Sequence, residues 1–273
     1  MLRLESETGW WLVTHPDHAR LAGAFAEAWG NDRFLPPEPR RNVLLGIRCH
    51  DDGWTGRDAM PQITREGKPS AFSTELVGKY SAFEEIDLED YLAVRDRAVR
   101  LMADEDAYAG LLVSMHTYNL LTERADRSTI RPEQLPLLDR FLVEQSKFQG
   151  ELLRRVRSNE GFSEEEKSET RIRDHFRLLQ ATDNLSLLSC VGFLGPATLL
   201  HPLPLRDGGY AEVRVEPLGG RRFRLQPYPF SDKTLAVEFS ARHVEGKIFT
   251  TASELQARFA DAPITHLQVV VSE

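Results

Sequence analysis

The run Val43-Leu44-Leu45-Gly46-Ile47 leads through Arg48 into Cys49-His50-Asp51-Asp52-Gly53-Trp54. A helix over residues 42–51 would place Val43, Ile47, His50 and Asp51 at i, i+4, i+7 and i+8, on one core-facing stripe. A buried imidazole and carboxylate need partners, and an unpaired buried carboxylate is expensive enough to require a cation, a hydrogen-bond network or a metal. The expectation drawn from this stretch is a metal site inside a helical core.

Working outward, four more helical stripes carry inward polar groups. Thr14 reads as a cap and Pro16 suits a first turn, so a helix follows in which His18, Leu21, Ala22, Phe25 and Trp29 share a face. His15 stands at its start. Residues 88–104 read as a helix with many exposed charges. Tyr108 to Leu121 reads as a more buried one, with His116 on the stripe of Ala109, Leu112, Val113 and Leu120. Leu135 to Leu152 reads as a long amphipathic helix in which Gln145 points inward as a satisfied amide. Ile172, Phe176, Leu179, Asp183, Leu187 and Cys190 form a stripe with a carboxylate at its centre, and His175 lies at its edge. Between these helices, Asp52 to about Glu84 is rich in Gly and Pro and lacks periodicity, which suits a lid or a binding loop. Trp54 and Asp58 in that loop, and Gln180 beside Asp183, are candidate substrate contacts.

After Cys190 the period becomes two. Ala211, Val213 and Val215 alternate with charged residues, Gly219-Gly220 supplies a turn into Phe223 and Leu225, and Leu235, Val237 and Phe239 alternate again. A short helix over 253–260 and a final strand over 264–271 complete the chain. The expected architecture is therefore mainly α: a helical metal-binding domain over 1–191, with an antiparallel β-rich appendix over 192–273 that packs on it or mediates a homo-oligomer.

Composition narrows the function. The 273 residues carry 34 basic and 42 acidic side chains, a formal charge of -8, which argues against a broad nucleic-acid surface. Cys49 and Cys190 sit in apolar helical patterns and read as reduced thiols. The acidic N-terminus and the lack of an apolar run near ~20 residues predict neither a signal peptide nor a membrane span, and so a cytoplasmic protein.

His18, His50, Asp51, His116 and Asp183 come from four separate predicted helices, each on an apolar stripe, so a bundle would gather them. Three imidazoles and two carboxylates suit iron, manganese or zinc better than calcium, as one ion with open positions or as two ions bridged by Asp51.

The order His18, His50-Asp51, Asp183 resembles the HD superfamily of metal-dependent phosphohydrolases over roughly residues 10–190. That resemblance implies His18, His50, Asp51 and Asp183 as core ligands and His116 in an intermediate role. The chain is also similar to a bacterial family of unknown function with the same layout, here His15 to His18, His50 to Trp54, Leu112 to His116 and Leu179 to Ser186. The implied activity is metal-dependent hydrolysis of a small phosphorylated or nucleotide-like molecule. His15 or His116 would then act as acid or base, and Asp52 as a general base if the chain turns it inward. A long loop straight after the doublet and no evident phosphate-binding Lys or Arg depart from the HD pattern. They leave an HD-like iron-dependent oxygenase as the enzymatic alternative and a metal-stapled, non-catalytic interaction protein as the other.

Overall fold

The computed structural model describes residues 1–80, 83 and 87–273; the predicted end of the long loop at Glu84 lies outside them. The chain opens with strands β1 (Leu2–Glu5) and β2 (Gly9–Val13) and helices α1 (His15–Ala28) and α2 (Arg40–Arg48). After a 3-10 turn at Asp52–Trp54 come a single helical turn, α3 (Thr55–Asp58), and the longer helices α4 (Leu88–Glu105), α5 (Ala107–Thr122), α6 (Leu135–Ser158) and α7 (Glu169–Cys190). The remainder is β3 (Ala197–Thr198), β4 (Leu203–Pro204), β5 (Tyr210–Ala211), β6 (Arg214–Gly219), β7 (Arg222–Gln226), β8 (Thr234–Glu245), α8 (Ala252–Asp261) and β9 (Ile264–Ser272). Among the described residues no helix is long and apolar enough to cross a membrane.

Capping sets the helix starts. Thr14 Oγ1 accepts the Asp17 N–H at 3.1 Å, with Pro16 in the first turn. Asp106 caps α5 and Ser168 caps α7 in the same way. These boundaries fall close to those expected from the pattern.

The mainly-α expectation is corrected: this is an α+β fold. Seven strands form one mixed sheet in the order β1-β2-β8-β9-β7-β6-β3, and β4 and β5 form a second, two-stranded one. The large sheet is not an antiparallel appendix of the C-terminal third. The first strands of the chain are part of it, with β2 antiparallel to β8 from Gly9↔Glu245 to Leu12↔Arg242, and β7 runs parallel to β9. Pairing partners more than 200 residues apart leave no local signal, so Gly9 to Val13 reads from sequence only as a short apolar run. Gly9 shows why the join is tight: a Cβ there would lie 2.0 Å from the Val244 carbonyl oxygen. One hydrophobic cluster contains Phe25, Trp29, Leu112 and Leu179 from the helices together with Val215, Phe223, Val269 and Val271 from the sheet. Helices and sheet thus share a core.

The helix expected over 42–51 is also shorter. α2 ends at Arg48, and Cys49 leaves helical geometry at φ -116, ψ 10. His50 and Asp51 occupy the following turn. The His50 ring nitrogen Nδ1 lies 2.7 Å from the Ile47 carbonyl oxygen and satisfies one of the carbonyls that a helix end leaves open.

Candidate metal centre

α1, the turn after α2, α5 and α7 converge, and their inward side chains are His18, His50 with Asp51, His116 and Asp183. All five are buried, at 7 % exposure or less. Among the described residues, two groups have ligand atoms within 4.8 Å of one another: His18-His50-Asp51 and His50-His116-Asp183.

Neighbouring groups decide which ring nitrogens face this centre. His50 Nδ1–H donates to Ile47, so in the neutral ring Nε2 carries a lone pair. It is buried without a hydrogen-bond partner, 3.4 Å from Asp183 Oδ1 and 3.9 Å from Asp51 Oδ2. His18 follows the same logic. The Ser186 hydroxyl donates to the Asp183 carbonyl at 2.8 Å, so its 3.0 Å contact with His18 Nδ1 has the ring N–H donating. Nε2 of the neutral ring then presents a lone pair to Asp51 Oδ2, another acceptor, at 3.1 Å. His116 Nδ1 is a further buried nitrogen without a partner. Imidazoles fixed through one nitrogen by a carbonyl or hydroxyl, with the other aimed at carboxylate oxygen, are the arrangement seen around metal ions.

The buried carboxylates and imidazoles are strongly coupled. Burial pushes the His50 ring down, but Asp51 and Asp183 outweigh it and raise the ring to about 9. Burial pushes the Asp51 carboxyl up, yet Arg95 and His50 hold it well below the usual carboxylate range, and Asp183 is lowered against burial chiefly by His50. Burial pushes His116 down to about 3. A proton and a metal ion would compete for the same His50 nitrogen.

Beside the centre lies a cavity of about 400 Å³ whose lining includes His15, Trp54, Asp58, Tyr91 and Arg95. His15 stacks on Trp54 with ring centroids 4.3 Å apart and meets the His18 ring edge-on at 6.0 Å. Asp58 gathers His15 Nδ1 at 3.0 Å, the His15 backbone N–H at 2.5 Å and the Met1 nitrogen at 3.1 Å. Burial pushes Asp58 up, but His15 and the Met1 nitrogen hold it well below the usual carboxylate range. Burial pushes His15 down to about 4 against the pull of Asp58.

Other sequence candidates stand apart. Asp52 is clamped by Arg20, whose Nη1 and Nη2 donate to its two oxygens at 2.7 and 3.0 Å. Gln180 donates to Asn119 Oδ1 at 2.7 Å and its Oε1 lies 2.6 Å from His201 Nε2; it is not among the cavity-lining residues. Gln145 is the satisfied amide expected of it, accepting from Ser114 and donating to Asp96. His175 is buried outside the centre. Because the Tyr108 hydroxyl donates to the Glu166 carbonyl at 3.1 Å, it accepts from His175 Nδ1 at 2.8 Å.

Sequence reasoning missed Arg95. It is 6 % exposed, donates through Nη1 to Asp51 Oδ1 and through Nε to the Tyr91 hydroxyl at 3.2 Å, and lies 5.3 Å from the Trp54 ring centroid. The signal was available: Leu88, Leu92, Arg95, Val99 and Met102 share one stripe at i, i+4, i+7, i+11 and i+14. Arg3, Arg57 and Lys79 also line the cavity, against the carboxylates Asp58 and Glu75. The sequence showed no Lys or Arg evidently placed near the site, whereas the fold brings these four cations around one cavity.

No curated protein and no solved structure matches this chain. A family model matches residues 1–246, from the first strand through β8 and across every residue of the centre, and the chain belongs to that family, described as protein of unknown function (DUF3891).

Proposed function

We propose that the cluster is a metal centre and that the protein is a metal-dependent hydrolase of a small anionic, phosphorylated molecule admitted through the adjoining cavity. The observation that carries this reading is His50 Nε2, a buried nitrogen without a hydrogen-bond partner, set between two carboxylates and locked by the Ile47 carbonyl. His18, His50, Asp51, His116 and Asp183 would hold a divalent transition metal such as iron, manganese or zinc. When bound, such an ion supplies Lewis acidity and acidifies a water molecule near neutral pH.

The chain's own groups supply the rest. Arg95, touching Asp51 and lining the cavity, holds Asp51 in place and offers a cation to an anionic substrate. His15 is neutral at pH 7 because burial disfavours its charge. Its Nδ1 is shared between Asp58 at 3.0 Å and the Met1 nitrogen at 2.6 Å, and the ring can take or return a proton. Trp54 covers one face of the His15 ring and excludes water from it. The cavity cations support an anionic substrate, and they remove the shortage of such residues that favoured an oxygenase.

The test is release of inorganic phosphate from a panel of phosphomonoesters and nucleotides by chelator-treated protein, with and without added Mn, Zn or Fe(II), beside Asp183→Asn. Metal-restored turnover that Asp183→Asn abolishes supports the reading. Bound metal with no turnover on any panel member would favour the stapling role.

A further inference from the structure

Three features of the centre bear on how many ions it holds. First, both ligand groups pass through His50, and that ring has a single nitrogen to give, because Nδ1 is committed to Ile47 at 2.7 Å. One lone pair binds one ion, so the two groups cannot be two separate sites. Second, a carboxylate bridging two ions commonly uses both oxygens. Asp51 Oδ1 is taken by Arg95 Nη1, and only Oδ2 faces the imidazoles. Third, the buried charge must balance. Asp51 and Asp183 contribute two negative charges and Arg95 one positive. A divalent ion leaves the centre at +1, which an anionic substrate would neutralise, whereas a second would leave +3 in a buried place.

Arg95 also has donors to spare. Nη1 goes to Asp51 and Nε to Tyr91, and among the described residues Nη2 donates to nothing. The side chain lines the cavity. In hydrolases with two metals, the ions sit about 3.5–4 Å apart and clamp the reacting oxygens from two sides. A guanidinium offers two parallel donors to the same kind of oxygen pair.

We propose that the centre takes one divalent ion and that Arg95 fills the place of a second, binding an oxygen of the substrate's phosphoryl group while it orients Asp51. This rests on the metal-centre reading above and names the stoichiometry and the anion contact within it.

The experiment titrates chelator-treated protein with Mn(II), counting free ion by electron paramagnetic resonance. It then adds inorganic phosphate and follows its ³¹P relaxation by the bound Mn(II). Expected are one Mn(II) per chain with a magnetically isolated signal, and phosphate relaxation that saturates. In Arg95→Gln, phosphate should bind at least roughly tenfold more weakly, as loss of a charge-assisted hydrogen bond implies, while one Mn(II) is still taken up. Arg95→Lys, which keeps the charge and loses the fork, should fall between, and it carries the comparison should Arg95→Gln fail to fold. Two Mn(II) per chain, or an exchange-coupled signal, would overturn the single-ion assignment and leave the metal reading standing. Phosphate binding unchanged in both variants would overturn the role of Arg95. Failure to bind Mn, Zn or Fe at all would instead sink the metal reading itself.

Discussion

Stability linkage gives the sharpest test of the centre. An ion that binds only the folded chain stabilises it by about 4.1 kcal/mol at 1,000 times its Kd. With an unfolding entropy of about 2.1 cal/mol/K per residue, the 273 residues give roughly 0.57 kcal/mol/K, so Tm should rise by roughly 7 °C. His50→Ala removes the nitrogen shared by both ligand groups. It also opens a cavity in the core, at a cost of about 2–5 kcal/mol whether or not metal is present. The informative quantity is therefore the change in Tm on adding metal, not Tm itself. Differential scanning calorimetry of chelator-treated wild type, His50→Ala and His201→Ala, with Mn, Zn and Fe(II), should show the full shift in wild type and His201→Ala. It should show almost none in His50→Ala. A wild-type shift below about 1 °C for all three metals, or an equal shift in His50→Ala, would refute the assignment of His50 Nε2 as a ligand.

Ser186→Ala removes the hydroxyl that holds His18 Nδ1 at 3.0 Å and should weaken metal binding by roughly 10–100-fold with the fold intact, as measured by competition with a chelating dye. Burial, reinforced by Arg171, pushes His175 down to about 3 from 6.5. Above pH 6.5 this ring therefore imposes no penalty, and below it the unfolded state binds a proton that the folded state refuses. Stability should fall by about 1.4 kcal/mol per pH unit there. His175→Asn should lose about 2 kcal/mol less than wild type between pH 7 and pH 5 in urea titrations; an identical loss would mean that the ring is not held neutral. Gly53→Ala should destabilise by about 1–3 kcal/mol, because a Cβ there would lie 2.4 Å from the Val94 carbonyl oxygen. Chevron or equilibrium unfolding reads this directly, and Gly53→Ala should also disturb the His15–Trp54 stack.

The inward positions of His18, His116 and Asp183 were legible because each sits on an apolar stripe of 3.6-residue period, and a helix that buries this stripe must bury them with it. The cap at Thr14 is a local hydrogen bond and was legible too; Asp106 and Ser168 cap α5 and α7 by the same local bond but were not singled out in the sequence. His50 and Asp51 reached the centre by another route than the one periodicity suggested. The helix ends at Arg48, and a side-chain bond to Ile47 replaces the next turn. Arg95 sat on a readable stripe, yet the surrounding charges of its helix hid it. Only the fold shows that Asp51 waits beside it.

What the sequence by itself determined is the set of helices, their buried faces and the polar residues on them, since these follow from interactions within a few residues. Only the tertiary structure decided that Gly9 to Val13 pairs with a strand more than 200 residues away and that the fold is α+β. It alone also decided that Arg3, Arg57, Lys79 and Arg95 meet around one cavity beside the histidines. Strand partners, ring tautomers and the pairing of buried charges depend on groups distant in the chain, and no local pattern encodes which of them will meet.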